Sequence, residues 1–510
     1  MLRSTSLLLA ALLTAPAWAI PEGPEYPTPE WFARDAANVA KTTEGPLEQA
    51  SNPVFLERWS TQSTLNFADW TLRSVEDPSW LLTPSLNTPL TPLCSTWSLQ
   101  CAGDPFRYPE APGPDGAAFY EGEAEVIPVV FYDRECARLS GRVWAPRNGL
   151  NGLPGVVIEN GSIQAPEPLY WWAAQMLVRA GYVVMTFDPR GQGRSDQQTP
   201  DGAQGSNANS AVFWEGLVDA IDFFRSDERR HYPHNRSCAD TYPTAVTAFN
   251  PHAQRIDPQR LGLAGHSLGA TGVSVVQSYG APGAEPWPGL LDQANPVDVI
   301  VAWDSLRAPS TGAAGGTPAV VARVPAMGQT SEYGFTPLPA LDGPPDPEAH
   351  KQAFDGWQSA GVPVFQFTIQ GSSHFEWSLI PTFPSSSWCA DTSANTCAGG
   401  WGRPMAEHYT LAWFDRWLKQ PGEPGYADAD ARLLADTDWR ERYSFYHRSA
   451  RNFPTRTGHR QRCLDIRAGC DGADQRAAVD SPAVAGGSAP AVGLLGLLLL
   501  GLRRRRATES

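Results

Sequence analysis

From about residue 121 the chain settles into a regular pattern of apolar runs. "AEVIPVVFYD" and "ARLSGRVWAP" read as consecutive antiparallel strands. Short runs of Val, Ile, Leu and Phe then recur in "LPGVVIENG", "YVVMTFD", "RLGLAG", "VDVIVAW", "VPAMGQT" and "VPVFQFTIQG". They lack the polar alternation of a half-solvated strand, so they fit strands buried on both faces. Between them lie segments of helical period: "PLYWWAAQMLVRAG", "NSAVFWEGLVDAIDFFRS", "ATGVSVVQSYG", "PEAHKQAFDGWQSAG" and "MAEHYTLAWFDRWLKQ". Strands alternating with helices predict an α/β fold, a mostly parallel central sheet flanked by helices.

The flanks of this region differ from it. Residues 20–120 are rich in Pro and Trp without clear period; they read as an irregular N-terminal extension of loops and short helices, "NVAKTTEGPLEQASNPVFLERWSTQ" being the helical part. Residues 121–470 form the predicted catalytic domain, its last part a disulfide-bearing piece. Residues 471–485, "DGADQRAAVDSPAVA", are too small and polar to fold and read as a linker. Residues 1–19 hold Arg3, an apolar block and then Ala17-Trp18-Ala19, the layout of a secretory signal peptide cleaved after Ala19 by signal peptidase. Residues 486–510 run from Gly-Gly-Ser through a short Leu-rich block to Arg503–Arg506. That block is shorter than the roughly 20 apolar residues of a comfortable membrane span.

Export makes the eight cysteines readable as disulfides. Proximity along the chain gives Cys94–Cys101, Cys389–Cys397 and Cys463–Cys470, leaving Cys136–Cys238 as the fourth bridge. With 39 basic and 54 acidic side chains the formal charge is −15, and four of the arginines sit in the tail. No basic stripe remains elsewhere, which argues against nucleic acid as a partner. No phosphate-cradling glycine loop and no His/Cys metal cluster is visible, so the reading calls for no cofactor and no metal.

The chemistry concentrates at "RLGLAGHSLGATG", where a strand gives way to a helix around Gly265-His266-Ser267-Leu268-Gly269. A serine held between two glycines in such a tight turn is thrust above the sheet as a nucleophile. It needs a base to take its proton. His374, after "VPVFQFTIQGSS", sits in a small-residue turn following the last parallel strand and is the candidate base; His266 reads as a residue that packs or hydrogen-bonds locally. Two carboxylates end strands between Ser267 and His374: Glu332 in "GQTSEYGFTP" and Asp304 in "VAWDSL". Glu332 is the favoured triad acid, because the loop after the seventh strand is its commoner seat, and Asp304 is the alternative. Developing charge on a substrate oxygen would be met by the Leu268 N–H and the Ser162 N–H of "ENGS". Asp188 and Arg190 of "FDPRGQGRSD" read as braces beneath the site.

"ENGS", "DPRGQGRS", "GHSLGA" and "GSSH", in that order over residues 121 to about 420, resemble the α/β-hydrolase superfamily in its secreted serine esterase and lipase form. "GHSLGA", "AWDSL" and "GSSH" are also similar to bacterial cutinase-like polyester hydrolases. That second resemblance implies that Trp303 contacts substrate and that the acid lies on the following strand's loop, at Glu332, where those enzymes carry Asp. The C-terminal tail resembles the GlyGly-CTERM sorting tails of Gram-negative bacteria. The resemblance implies transient anchoring and removal by a rhomboid-like sorting protease, leaving the protein secreted or at the cell surface. The expected activity is serine-dependent hydrolysis of carboxylic esters through an acyl-enzyme. A peptidase or amidase on the same scaffold, or a catalytically inactive surface binding protein, is the alternative.

Overall fold

The unbroken apolar runs become the middle of a ten-stranded sheet with the order β1-β2-β4-β3-β5-β6-β7-β8-β9-β10. The computed structural model describes residues 23–82, 119–162, 165–206, 208–304, 306–312, 316–378 and 400–470. The expected signal peptide, the bridges Cys94–Cys101 and Cys389–Cys397, the linker and the sorting tail lie outside the described residues.

β1 (Ala124–Tyr132) and β2 (Arg138–Pro146) form the antiparallel entry, and β2 runs antiparallel to β4 (Val183–Asp188). From there β4, β3 (Leu153–Glu159), β5 (Ile256–His266), β6 (Val299–Trp303), β7 (Ala326–Ser331) and β8 (Val364–Ile369) are parallel neighbours. β9 (Ala450–Pro454) and β10 (Arg460–Cys463) add an antiparallel edge that the sequence reading did not expect.

Side chains alternate across a strand, so each apolar run feeds two cores. Val156 and Ile158 of β3 pack with Trp171, Trp303, Phe367 and Trp413 on one face, beneath α3 (Trp171–Arg179) and α7 (Gly402–Leu418). Val157 packs on the other face with Met185, Leu217, Val273 and Trp357, beneath α4 (Val212–Arg225), α5 (Leu268–Val276) and α6 (Gln352–Ser359). Burial on both sides is what requires strands without polar alternation.

The extension departs from its expected irregularity. Its first part is two long helices, α1 (Pro29–Ser51) and α2 (Pro53–Glu76). Pro29 and Pro53 occupy helix starts, where a missing N–H costs nothing. Asn52 caps α2, its Oδ1 accepting from Val54 N–H at 2.9 Å. Gly45-Pro46 falls inside α1. Trp80, just beyond α2, lies buried under the Arg138 guanidinium, 3.8 Å from ring centroid to cation. Disulfides Cys136–Cys238 and Cys463–Cys470 are formed, the first tying the β1–β2 turn to residues 102 positions away.

Candidate active site

β5 ends against its own return. A side-chain carbon at Gly265 would come within 2.4 Å of Gly269 O, and one at Gly269 within 2.3 Å of Asn160 O. Only glycine permits this approach of strand, helix and neighbouring loop. The turn between them holds Ser267 at φ 58°, ψ −119°, a conformation that side chains rarely adopt. Ser267 N–H is fixed by Trp303 O at 3.1 Å. The strain lifts the hydroxyl clear of the sheet, where Ser267 Oγ lies 2.9 Å from His374 Nε2.

His374 lies in the loop after β8, its N–H donating to Gly334 O at 2.8 Å. Its Nδ1 makes a short hydrogen bond to Asp304 Oδ2. A carboxylate only accepts, so Nδ1 carries the proton and Nε2 is left to receive the one from Ser267. Asp304, directly after β6, is itself at positive φ, 55°. Ser331 steadies it, N–H at 2.8 Å and Oγ at 3.0 Å from Asp304 Oδ1. Burial alone would push this carboxyl up. The His374 charge and the hydrogen bonds from His374 and Ser331 outweigh it and hold Asp304 below the ordinary aspartate value.

The favoured acid of the sequence reading, Glu332, is therefore corrected by geometry: Asp304, the alternative, is the carboxylate on His374. Glu332 follows Ser331, and neighbouring side chains at a strand end diverge. Ser331 turns toward Asp304, whereas Glu332 turns toward Asn38, Gly371 and Ser444. It is buried there, and burial lifts its carboxyl above the ordinary glutamate value; the donors from Ser444, Gly371 and Asn38 offset this only in part.

Trp303 also needs correction. It is fully buried, its indole N–H donating to Thr410 Oγ1 at 3.1 Å and its ring packed 5.2 Å from that of Trp172. A side chain fixed between β6 and α7 offers no surface to a substrate. The aromatic ring that does meet the imidazole is Phe335, 61% exposed, with its centroid 3.8 Å from that of His374.

On the other side of the serine, the Leu268 N–H is the first amide of α5, with no preceding helical turn to supply an acceptor. The "ENGS" loop approaches so closely that a side-chain carbon at Gly161 would sit 3.2 Å from Ser267 Cβ. Gly161 N–H donates to Tyr170 Oη at 3.0 Å. Ser162 follows at the turn, half-buried. His266 hydrogen-bonds locally through both ring nitrogens. Its Nε2 lies 2.8 Å from His374 O and must donate to that carbonyl, so Nδ1 accepts from Tyr170 O–H at 2.8 Å. Burial, with His374 alongside, pushes the His266 pKa down to about 3, so the ring is neutral near pH 7. A continuous chain thus joins the Gly161 loop to the His374 backbone. Tyr170 carries no sequence signal, being one aromatic in the apolar run "LYWW". Asp188 accepts from Glu167 N–H at 2.7 Å and Arg194 N–H at 3.0 Å, and Arg190 pairs with Asp133 at 2.8 Å, so both brace loops.

No family model matches the sequence, and no curated protein matches it significantly. Among solved structures it is similar to one named as a putative dienelactone hydrolase from Klebsiella pneumoniae subsp. pneumoniae MGH 78578. The identity is 12% and the TM-score 0.35, over 58% of this chain and all of that one. A likeness so slight carries no functional argument. The fold class rests on the strand order, the parallel core with helices on both faces, and the strained turn after β5: an α/β-hydrolase fold.

Proposed function

We propose that the protein is an exported serine hydrolase acting on carboxylic esters. The observation that carries this reading is the line Ser267 Oγ, His374 Nε2 and Nδ1, Asp304 Oδ2, with 2.9 Å at its serine end. In the reaction Ser267 Oγ attacks the ester carbonyl while His374 Nε2 takes its proton. Asp304 keeps Nδ1 protonated and stabilises the imidazolium that forms. The oxyanion is received by the Leu268 and Ser162 N–H groups. His374 then returns the proton to the departing alcohol, and a water activated by the same nitrogen releases the acid from the acyl-enzyme. Phe335 over the imidazole is placed to contact the substrate's apolar part.

Export is supported by the N-terminal segment ending at Ala19 and by the two disulfides, which persist in oxidising compartments. No helix among the described residues is long and apolar enough to cross a membrane. In this reading the only partners are an ester substrate, signal peptidase and a rhomboid-like protease that trims the tail.

A fluorophosphonate probe tests the proposal directly. Wild-type protein is expected to label and Ser267→Ala to remain unlabelled, with ester turnover reduced by on the order of a millionfold. Absence of labelling in folded wild-type protein would leave the binding-protein alternative. Faster cleavage of nitroanilides than of nitrophenyl esters would favour an amidase.

A further inference from the structure

We propose that Asn38, on helix α1 of the N-terminal extension, and Glu332 are positioning residues that latch the backbone of the His374 loop. This makes α1 part of the catalytic unit. The inference rests on the reading of His374 as the base, and it names residues outside the triad that act through it.

The loop after β7 supports both partners of Ser267. Ser331 holds Asp304, while Tyr333 N–H donates to Ser372 O at 3.1 Å and Gly334 O receives the His374 N–H. Glu332, between them, has its carboxylate at the centre of the brace. Oε2 accepts from Gly371 N–H at 2.6 Å and from Asn38 Nδ2–H at 2.5 Å; Oε1 accepts from Ser444 O–H at 2.5 Å. Its main-chain N–H donates to Ser372 Oγ at 3.1 Å. Residues 371 and 372 are therefore pinned three and two positions before the imidazole.

Asn38 is the part of this brace that comes from outside the sheet. It is buried, 294 positions from Glu332, and its second amide hydrogen reaches Tyr333 Oη at 2.9 Å. Tyr333 O–H and Ala340 N–H in turn donate to Asp35, one turn earlier on α1, at 3.1 and 2.7 Å. Gly371 is at φ +61°, and a side-chain carbon there would lie 3.2 Å from Asn38 Oδ1. The helix thus seats directly on the turn that presents His374. A buried carboxylate facing only donors orders each of them, because breaking any one leaves polar atoms unpaired away from water. A shift of about 1 Å in a catalytic base can cost up to a hundredfold in rate.

The test uses the full exported chain with Asn38→Ala, the near-isosteric Asn38→Asp, Glu332→Gln, and the Asn38→Ala/Glu332→Gln pair. The probe is nitrophenyl butyrate, with active sites counted by fluorophosphonate. Each single variant is expected to lower kcat per titrated site about tenfold or somewhat more, with KM within twofold of wild type. The pair should lose clearly less than the product of the two single losses, since Asn38 and Glu332 brace the same loop through a shared hydrogen bond. Hydrogen exchange read by mass spectrometry is the second measurement and needs no activity. Peptides covering residues 369–374 should exchange at least tenfold faster in each variant, with those from β3 and β5 unchanged. Unaltered exchange at 369–374 overturns the latch, as do unaltered kcat per site or strictly additive losses in the pair. If wild-type protein neither labels nor turns over the ester, the esterase reading falls while the exchange result still decides the latch.

Discussion

Two adjacent loops, after β6 and after β7, each carry one buried carboxylate beside the loop of His374, and they use it in opposite ways. Asp304 faces a titratable ring and is held ionised by it. Glu332 faces only backbone and neutral side-chain donors, and burial raises its carboxyl. Position at a strand end qualifies both as an acid; the identity of the group opposite separates them. A carboxylate against an imidazole orients a proton, whereas a carboxylate against amide and hydroxyl donors orients a backbone.

Asp304→Asn and Glu332→Gln are expected to differ most. The first leaves the shape intact but allows the wrong imidazole tautomer, and about a ten-thousandfold loss of kcat is expected. The second is expected to lose about tenfold to thirtyfold, because it disturbs the loop and not the tautomer. Steady-state kinetics on a nitrophenyl ester with titrated sites decides it; equal losses would erase the distinction.

Tyr170→Phe comes next. It leaves Gly161 N–H without its acceptor and His266 Nδ1 without its donor. A kcat about tenfold lower is expected, with stability reduced by about 1–3 kcal/mol for the unpaired buried amide. Denaturant unfolding beside kinetics separates the two effects. Ser331→Ala should be milder, about fivefold in kcat, since Asp304 keeps the Ser331 N–H when the hydroxyl is lost.

The smallest effects are in pH dependence, and their signs oppose. Asp304 is depressed in the folded state, so its contribution is present above the unfolded aspartate value, about 3.9, and fades as pH falls through its folded value. Glu332 is raised, so the folded state binds its proton more tightly and stability declines as pH climbs from about 4.3 to the folded value. Unfolding midpoints from pH 3 to 7 should therefore bring Asp304→Asn closer to wild type on acidification. Glu332→Gln should lack the wild-type decline between the unfolded and folded glutamate values.

Legibility in the sequence followed the range of the interaction. The glycines two positions before and beyond Ser267 and the small-residue turn before His374 are local facts, and a clash between neighbours is the same in any surroundings. The resemblance that implies a substrate contact for Trp303 carries no information on Thr410, 107 positions away, which takes its indole N–H. Helices α1 and α2 were partly hidden by prolines that break a helix inside but begin one at its first turn.

The alternation of buried strands and helices, and hence a sheet covered on both faces, is written in the sequence pattern. So is the sharp turn that exposes one hydroxyl, since periodicity and steric conflict act over a few residues. Only the folded chain sets which carboxylate meets the imidazole and which loop the N-terminal helix touches. Those choices depend on partners 70 and 294 positions apart, and only the folded backbone sets which side chains share a buried space.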